Sequence, residues 1–239
     1  MSHRSSNRST SEARVESGSL HASPLRQRPK WHALIVPFCV LVPLLAFGLL
    51  AEDVMSRETI RFDAPFLLEL HEHASPLFNT VMLTLSRIGG LPILAYSALV
   101  IVFFLLRKHR AHALFLLSAM VGTSLLNIAL KAAFQRTRPD LWLSIAPEHD
   151  FSFPSGHSML SCTFTLALLA LTWNSRATLG QKAIATVVGV LFMGGVVVSR
   201  LYLGVHYPSD VLAGFCLSLS LISLLTGVFQ ARLREGRSR

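Results

Sequence analysis

Residues 198–210 read VSRLYLGVHYPSD, and long apolar runs lie on both sides of this polar stretch. His206 and Asp210 are four residues apart, and Arg200 precedes the histidine by six. If a helix starts at Pro208, the Asp210 carboxylate can reach back and hold one nitrogen of the His206 imidazole, leaving the other free to react. Arg200 adds a planar, permanently charged guanidinium that suits phosphate. The stretch therefore predicts a reactive polar site between two hydrophobic helices.

The composition of the 239-residue chain is typical of a membrane protein. Hydrophobic residues make up 51% of it and charged residues only 15%, whereas soluble domains have about 25% charged residues. Six apolar runs are close to the ~20 residues that cross a hydrocarbon core as a helix; they cover 33–51, 91–106, 111–130, 156–173, 183–198 and 210–229. No small-residue cleavage site follows the first run, which indicates an uncleaved membrane helix. The predicted fold class is all-α, a six-transmembrane-helix bundle.

Three parts of the chain differ in composition. Residues 1–30 are rich in serine and arginine and lack apolar periodicity, so we expect a disordered cytoplasmic tail. Residues 31–230 form the predicted six-span domain, and residues 231–239 a basic cytoplasmic tail. Residues 57–88 are too polar to cross a membrane, but their apolar residues recur at helical spacing. Ser75-Pro76 is typical of a helix N-cap and first helical residue, so we expect one or two short interfacial helices between spans one and two.

The 22 lysines and arginines are divided unequally between the two ends of the predicted spans. Most lie in the termini and in the turns at 107–110 and 176–182, whereas most of the 13 acidic residues lie at the opposite end. By the positive-inside rule, both termini are then cytoplasmic. This distribution explains the net charge of +9 without a nucleic-acid partner. We expect a multi-pass protein of the plasma (inner) membrane, with membrane lipids as its partners.

Two further polar stretches fall on the same side as residues 198–210. Lys131 and Arg138 follow the third span, and PSGH at 154–157 opens the fourth. Two crossings separate this loop from the loop that holds His206, so both loops share the extracytoplasmic side. Topology alone therefore gathers three cations, two histidines and one aspartate at one end of the bundle.

Each of these residues has a plainer interpretation when it is taken singly. Lys131 is equally consistent with a lysine that snorkels at a helix end, and His157 with a polar cap at the interface. His206 and Asp210 are consistent with a structural pair that holds the sixth span. These separate interpretations do not explain why the residues converge, and the convergence favours a functional site.

The gathered residues suit the binding of a phosphate ester. Lys131, Arg138 and Arg200 would neutralise its negative charge. Ser155 and Gly156 would begin a helix, whose backbone N–H groups and dipole favour an anion. A glycine at this place also lets the backbone approach phosphate oxygens closely.

The two histidines suit the chemistry of phosphoryl transfer. His206 would attack phosphorus while Asp210 holds its ring, giving a phosphohistidine. His157 would protonate the leaving alkoxide and then activate water. No cluster of carboxylates near these residues resembles a magnesium site, and His71 and His73 lack zinc-ligand spacing. We therefore expect no metal and no other cofactor.

The spacing in the three stretches resembles the three signature motifs of the type 2 phosphatidic acid phosphatase superfamily: Lys131 to Arg138-Pro139, Pro154 to His157, and Ser199-Arg200 to His206 and Asp210. No motif position departs from the pattern, and the resemblance covers roughly residues 57–229. It implies a metal-independent phosphatase of lipid phosphates or diphosphates, such as phosphatidic acid, phosphatidylglycerophosphate, undecaprenyl diphosphate or lipid A. It also implies the same roles for the histidines, the aspartate and the phosphate-binding residues.

Three functions compete at this point. The leading one is a lipid phosphatase whose site faces the outer side of the membrane. A lipid phosphotransferase would share the phosphohistidine step and differ only in passing the phosphoryl group to another lipid. A six-helix transporter without turnover would place its polar groups near the bilayer midplane, whereas here they lie at the ends of the spans.

Overall fold

The computed structural model describes residues 32–57 and 60–235. Within these residues the chain has no strand, and its eight helices are α1 (His32–Met55), α2 (Asp63–Glu72), α3 (Pro76–Gly89), α4 (Pro92–Leu106), α5 (Arg110–Phe134), α6 (Gly156–Asn174), α7 (Leu179–Tyr202) and α8 (Pro208–Glu235). The predicted tail of residues 1–30 lies outside the described residues. Helix α8 continues into the predicted basic tail, of which residues 236–239 also lie outside them.

Five helices, α1, α5, α6, α7 and α8, are long and apolar enough to cross a membrane. Helices α3 and α4 meet at a short break with a bend of 46° and would provide a sixth span if they act as one unit. Helix α4 has only 15 residues, and its length of about 22 Å is less than the ~30 Å of a hydrocarbon core. The prediction of a helical bundle with several spans is confirmed. The count of six, in which residues 91–106 were a span by themselves, stays a prediction because α4 needs α3 to complete the crossing.

The polar segment between the first two predicted spans contains helices α2 and α3. The Ser75 hydroxyl accepts a hydrogen bond from the Phe78 N–H at 3.4 Å, and Pro76 is the first residue of α3. The predicted start of this helix is therefore confirmed. Helix α3 packs along α7, and Tyr202 at the end of α7 donates to Asn79 Oδ1 at 2.7 Å. The predicted interfacial position stays a prediction for α2, whereas α3 would enter the membrane if it forms one span with α4.

Helix α8 is central in the bundle because it packs against α1, α5 and α6. The facing sides of these helices are apolar, with Phe115, Leu116 and Ile222 buried. In lipid, such contacts act through close packing rather than through removal of apolar surface from water. Inside this core the hydroxyls of Thr123 and Thr163 lie 2.8 Å apart and link α5 to α6, which satisfies two polar groups that have no water available.

One end of the bundle is closed by hydrogen bonds between segments that are far apart in sequence. The Ser155 N–H donates to the Asp210 carbonyl at 3.1 Å, and the Ser144 hydroxyl donates to the Leu203 carbonyl at 2.6 Å. These bonds join the loop between α5 and α6 to the turn between α7 and α8. The predicted convergence of the two loops is confirmed.

Candidate active site

His206 lies in the short turn of residues 203–207 between α7 and α8. Gly204 in this turn has a φ of +66°, a left-handed conformation that side chains disfavour. A Cβ at this glycine would also lie 2.5 Å from Trp142 Cζ2. Trp142 in turn stacks on His71, with ring centroids 4.1 Å apart. The turn is thus held in place by packing, and it presents a fully buried His206 side chain.

Asp210 lies beside His206 in the first turn of α8. His206 Nδ1 is 3.4 Å from Asp210 Oδ2, but among the described residues this nitrogen has no partner with hydrogen-bond geometry. The carboxylate accepts hydrogen bonds from the Tyr207 N–H at 2.8 Å and from the Ser152 hydroxyl. Arg136 Nη1 also donates to its second oxygen at 2.6 Å. The carboxylate is therefore firmly anchored next to the ring.

The buried position of His206 favours a neutral imidazole. Burial lowers the pKa of His206 well below its ordinary value, and the positive charges of Arg200 and Arg138 lower it further. A neutral ring keeps a lone pair on one nitrogen, which a nucleophile requires.

Arg138 connects the α5–α6 loop to the turn that holds His206. Its Nη1 donates to the Val205 carbonyl at 2.6 Å and lies 3.2 Å from His206 Nε2. Its Nε donates to the Asp150 carbonyl at 2.8 Å, and its Nη2 pairs with Glu148 Oε2 at 2.7 Å. The guanidinium therefore contacts Nε2, the ring nitrogen of His206 that does not face Asp210.

The two other predicted cations lie in the same cluster. Arg200 is buried near the end of α7, where its guanidinium donates to the Ser86 hydroxyl and pairs with Glu148. Its Nε has no partner in the part of the chain that the structure describes. Lys131, in the last turn of α5, pairs with Asp150. Each predicted phosphate-binding cation is thus paired with a carboxylate of the loop at residues 140–152, which we call the acidic loop.

Glu148 of the acidic loop lies at the centre of the cluster. Its Oε1 contacts Arg200 and is 3.8 Å from His157 Nδ1. Its Oε2 is 2.7 Å from Arg138 Nη2 and 4.0 Å from His206 Nε2. One carboxylate therefore lies within about 4 Å of both predicted catalytic imidazoles, which shows that the two rings face a common point.

The cations determine the protonation of Glu148 and Asp150. Burial by itself would raise the pKa of Glu148, but the charges of Arg200 and Arg138 outweigh it, and the pKa is lowered. Burial likewise opposes the hydrogen bonds of Asp150 to Lys131 and Arg138, which nevertheless lower its pKa to about 2. Both groups are ionised at neutral pH.

The start of α6 provides His157, Ser155 and Gly156. His157 is fitted closely against the break between α3 and α4, because a Cβ on Gly90 would lie 2.6 Å from its Nε2. Gly156 is the first residue of α6, and Ser155 is its N-cap, accepting from Ser158. The predicted anion site has one backbone donor fewer than expected, because the Ser155 N–H is already bonded to the Asp210 carbonyl.

A second network lies behind Asp210 and was not predicted from the sequence. Arg136 bridges two carboxylates, with Nη2 2.8 Å from Asp63 Oδ2 and Nη1 2.6 Å from Asp210 Oδ1. Asp63 also accepts from the Ser209 N–H at 2.9 Å and from the Ser209 hydroxyl at 2.6 Å. Asp63, the first residue of α2, thereby caps the N-terminus of α8. It also holds the Arg136 guanidinium in contact with Asp210.

Comparison with known proteins identifies the family. The profile of the PAP2 superfamily matches residues 112–234. Phosphatidylglycerophosphatase B of Bacillus subtilis (strain 168) is 34% identical over 170 residues, which cover 69% of this chain and 81% of that protein. The chain belongs to the PAP2 superfamily.

A solved structure and another relative are also similar over most of this chain. The crystal structure of a transmembrane PAP2-type phosphatidylglycerolphosphate phosphatase from Bacillus subtilis has a TM-score of 0.72 and 28% identity, covering 81% of this chain and 97% of that one. The undecaprenyl-diphosphatase of Sulfolobus acidocaldarius is 26% identical over 193 residues, which cover 78% of this chain and 87% of that protein. The family membership confirms the predicted superfamily, a multi-pass membrane protein and a hydrolase of lipid phosphate metabolism.

Proposed function

We propose that the protein is an integral-membrane phosphatase of lipid phosphates or diphosphates that forms a phosphohistidine on His206. The position of the Glu148 carboxylate carries this proposal. It is an anionic group held by Arg138 and Arg200, 3.8 Å from a nitrogen of His157 and 4.0 Å from His206 Nε2. A phosphoryl group in its place would be gripped by the same guanidiniums and would face the nucleophilic nitrogen.

The reaction has two steps that reuse the same groups. First, the lone pair on His206 Nε2 forms a bond to phosphorus while the bond from phosphorus to the lipid oxygen breaks, and His157 gives that oxygen a proton. Next, His157 takes a proton from a water molecule, whose oxygen attacks phosphorus. The bond from nitrogen to phosphorus breaks and orthophosphate leaves. Asp210 keeps the His206 ring in position in both steps, and Lys131, Arg138 and Arg200 stabilise the charge on the phosphoryl oxygens.

The nucleophile assignment is tested by His206→Ala. In detergent micelles this variant should release no orthophosphate from any lipid phosphate while its melting temperature shows that it is folded. An exposed histidine, His73, provides the matched control, and His73→Ala should keep full activity. Turnover by His206→Ala would remove the assignment.

We propose that no metal takes part in the reaction. The chain itself supplies three fixed cations that can neutralise the phosphoryl oxygens, which is the task of metals in other phosphatases. Phosphate release should therefore continue in excess EDTA, and orthovanadate should inhibit it. Strict dependence on magnesium would contradict this part of the proposal.

The names of two relatives, a phosphatidylglycerophosphatase and an undecaprenyl-diphosphatase, support lipid phosphates and diphosphates as the substrate class. A release assay should compare phosphatidylglycerophosphate, polyprenyl diphosphate, phosphatidate and lipid A at equal surface concentration. Lipid products should be separated in the same assay. Phosphate recovered on a second lipid rather than as orthophosphate would indicate a phosphotransferase.

We propose that the bent pair α3–α4 forms the second of six spans, that both termini are cytoplasmic, and that the site faces the extracytoplasmic side of the inner membrane. The distribution of lysine and arginine supports this orientation. Leu143 in the acidic loop is 96% exposed and offers a labelling position. A membrane-impermeant maleimide should label Leu143→Cys in intact cells; labelling only after the membrane is opened would reverse the orientation.

A further inference from the structure

The acidic loop neutralises the cation cluster through two of its carboxylates. Glu148 pairs with Arg138 and Arg200, and Asp150 pairs with Lys131 and Arg138. A cluster of buried cations without partners would be unfavourable, because burial penalises an unpaired charge. The loop therefore supplies an internal anion where the substrate phosphate must bind.

Glu148 and Asp150 differ in how they occupy the cluster. The Glu148 side chain is only 26% exposed and lies between both histidines, whereas the Asp150 side chain is 59% exposed and lies at the edge. Of these two carboxylates, only that of Glu148 occupies the position between the histidines where the phosphoryl group would bind. The Asp150 carboxylate lies outside that position.

We propose that Glu148 acts as an internal competitor: its carboxylate fills the phosphoryl subsite until a phosphate group displaces it. This inference rests on the proposed function, since it concerns the same site. Every anion must displace the same carboxylate, so the apparent affinity of each falls by the same factor. The competitor leaves the ratio of two affinities unchanged. It sets a threshold, which is the higher concentration that each ligand then needs to fill half of the sites.

The threshold separates two classes of phosphate at a membrane surface. The headgroup phosphate of an ordinary phospholipid is a diester with one negative charge, the same as the Glu148 carboxylate. A phosphomonoester carries up to two negative charges and a terminal diphosphate at least two, so these bind the three cations more strongly. Diester lipids surround the protein in large excess. Glu148 lowers the occupancy of the site by a weakly bound diester nearly in proportion, whereas a terminal phosphate that binds tightly enough still fills the site.

The scaffold allows the carboxylate to withdraw without unfolding the loop. Ser144 is bonded to Leu203 and Ser152 to Asp210, so both ends of the acidic loop are attached to the α7–α8 segment. Glu148 lies between these attachments. Its displacement requires movement of the middle of the loop and of one side chain only.

The test measures binding of orthophosphate by calorimetry to the full-length protein in detergent micelles, so it does not depend on turnover. Glu148→Gln keeps the shape of the side chain and removes its charge. It should bind orthophosphate about 10-fold more tightly than the wild type, the shift expected if the carboxylate fills the site in about nine of ten molecules. Glu148→Ala should change the affinity in the same direction, which covers the case in which Gln does not fold.

The control removes the same charge from the same loop. The Asp140 carboxylate makes no ion pair with any residue that the structure describes, and Asp140→Asn should bind orthophosphate within about 2-fold of the wild type. Dihexanoylphosphatidylglycerol, a soluble diester, serves as the second probe. Its inhibition of phosphate release should strengthen in Glu148→Gln by the same factor as the binding of orthophosphate.

The outcomes separate this inference from the proposed function. Unchanged or weaker binding of orthophosphate by folded Glu148→Gln, with the wild type binding it, would overturn the internal competitor alone. Failure of folded wild type and all variants to bind orthophosphate would remove the phosphate site itself. Strengthening by Asp140→Asn equal to that by Glu148→Gln would show a general charge effect and would also overturn the inference.

Discussion

Arg136→Gln should destabilise the protein near the site, because two buried carboxylates share this one cation. The variant removes the positive charge that two buried carboxylates share, Asp63 at 2.8 Å and Asp210 at 2.6 Å. Removing one partner of a buried ion pair costs about 3–5 kcal/mol, because the other charge is left buried and unpaired. The Arg136 side chain is 15% exposed, which lets water reach it, so we expect the lower end, about 3 kcal/mol.

The loss should appear in thermal unfolding of the protein in detergent micelles. For a chain of this size, about 3 kcal/mol corresponds to a fall in melting temperature of roughly 6–12 °C. Phosphate release below the melting temperature should also fall, by about 10- to 100-fold, because Asp210 loses one of its anchors and His206 its alignment. The double variant Asp63→Asn/Arg136→Gln should recover part of the melting temperature, since one of the two unpaired carboxylates is gone.

Arg61→Gln provides the matched control. Arg61 is exposed and makes no ion pair within residues 32–57 and 60–235, so its loss should change the melting temperature by less than about 2 °C. An equal melting temperature for Arg136→Gln and Arg61→Gln would refute the reasoning. The reasoning would also be refuted if the fall in melting temperature of the double variant equalled the sum of the falls in the two single variants.

Two other predictions concern the edges of the site. Gly90→Ala places a Cβ 2.6 Å from His157 Nε2 and should lower kcat/KM about 100-fold by moving the proposed general acid. Gly48→Ala, where a Cβ meets no described atom within 4 Å, should have no effect. Equal activities of the two variants would contradict the role of this contact. Because the folded-state pKa of Asp150 is lowered from 3.8 to about 2, its stabilising effect is present above about pH 4 and is lost as the pH falls through about 2. The melting temperature of Asp150→Asn should therefore lie below that of the wild type by a constant amount from about pH 5 to 8, with the gap closing below about pH 4; a gap that widens in acid would contradict this sign.

The predicted motif residues and the observed cluster agree because the motifs lie at helix ends. Lys131 lies in the last turn of α5, His157 in the first turn of α6, Arg200 in the last turn of α7 and Asp210 in the first turn of α8. Alternating helices that cross a membrane bring such ends to one side, so counting apolar runs was enough to place these residues together. The roles assigned to them in catalysis stay predictions.

Other parts of the site could not be predicted in this way. Arg136 lies two residues before Arg138, but spacing along the chain does not show that its guanidinium turns away from the substrate side toward Asp63. Asp63 is a single aspartate at the start of a short helix, and nothing in its local sequence indicates contact with α8. Glu148 and Asp150 of the acidic loop pair with the cations, and nothing in the local sequence of the loop indicates these pairings.

The amino-acid sequence by itself determined the family, the helical membrane-spanning architecture and the end of the bundle where the polar residues meet, because hydrophobic run length and motif spacing are local properties of the chain. Only the tertiary structure decided which carboxylate faces which cation. That choice depends on side chains from α2, the acidic loop and the α7–α8 turn, which are far apart along the chain. An unpaired buried charge is unfavourable, so all of these charges must be paired in the same folded structure. No single stretch of sequence contains all the partners.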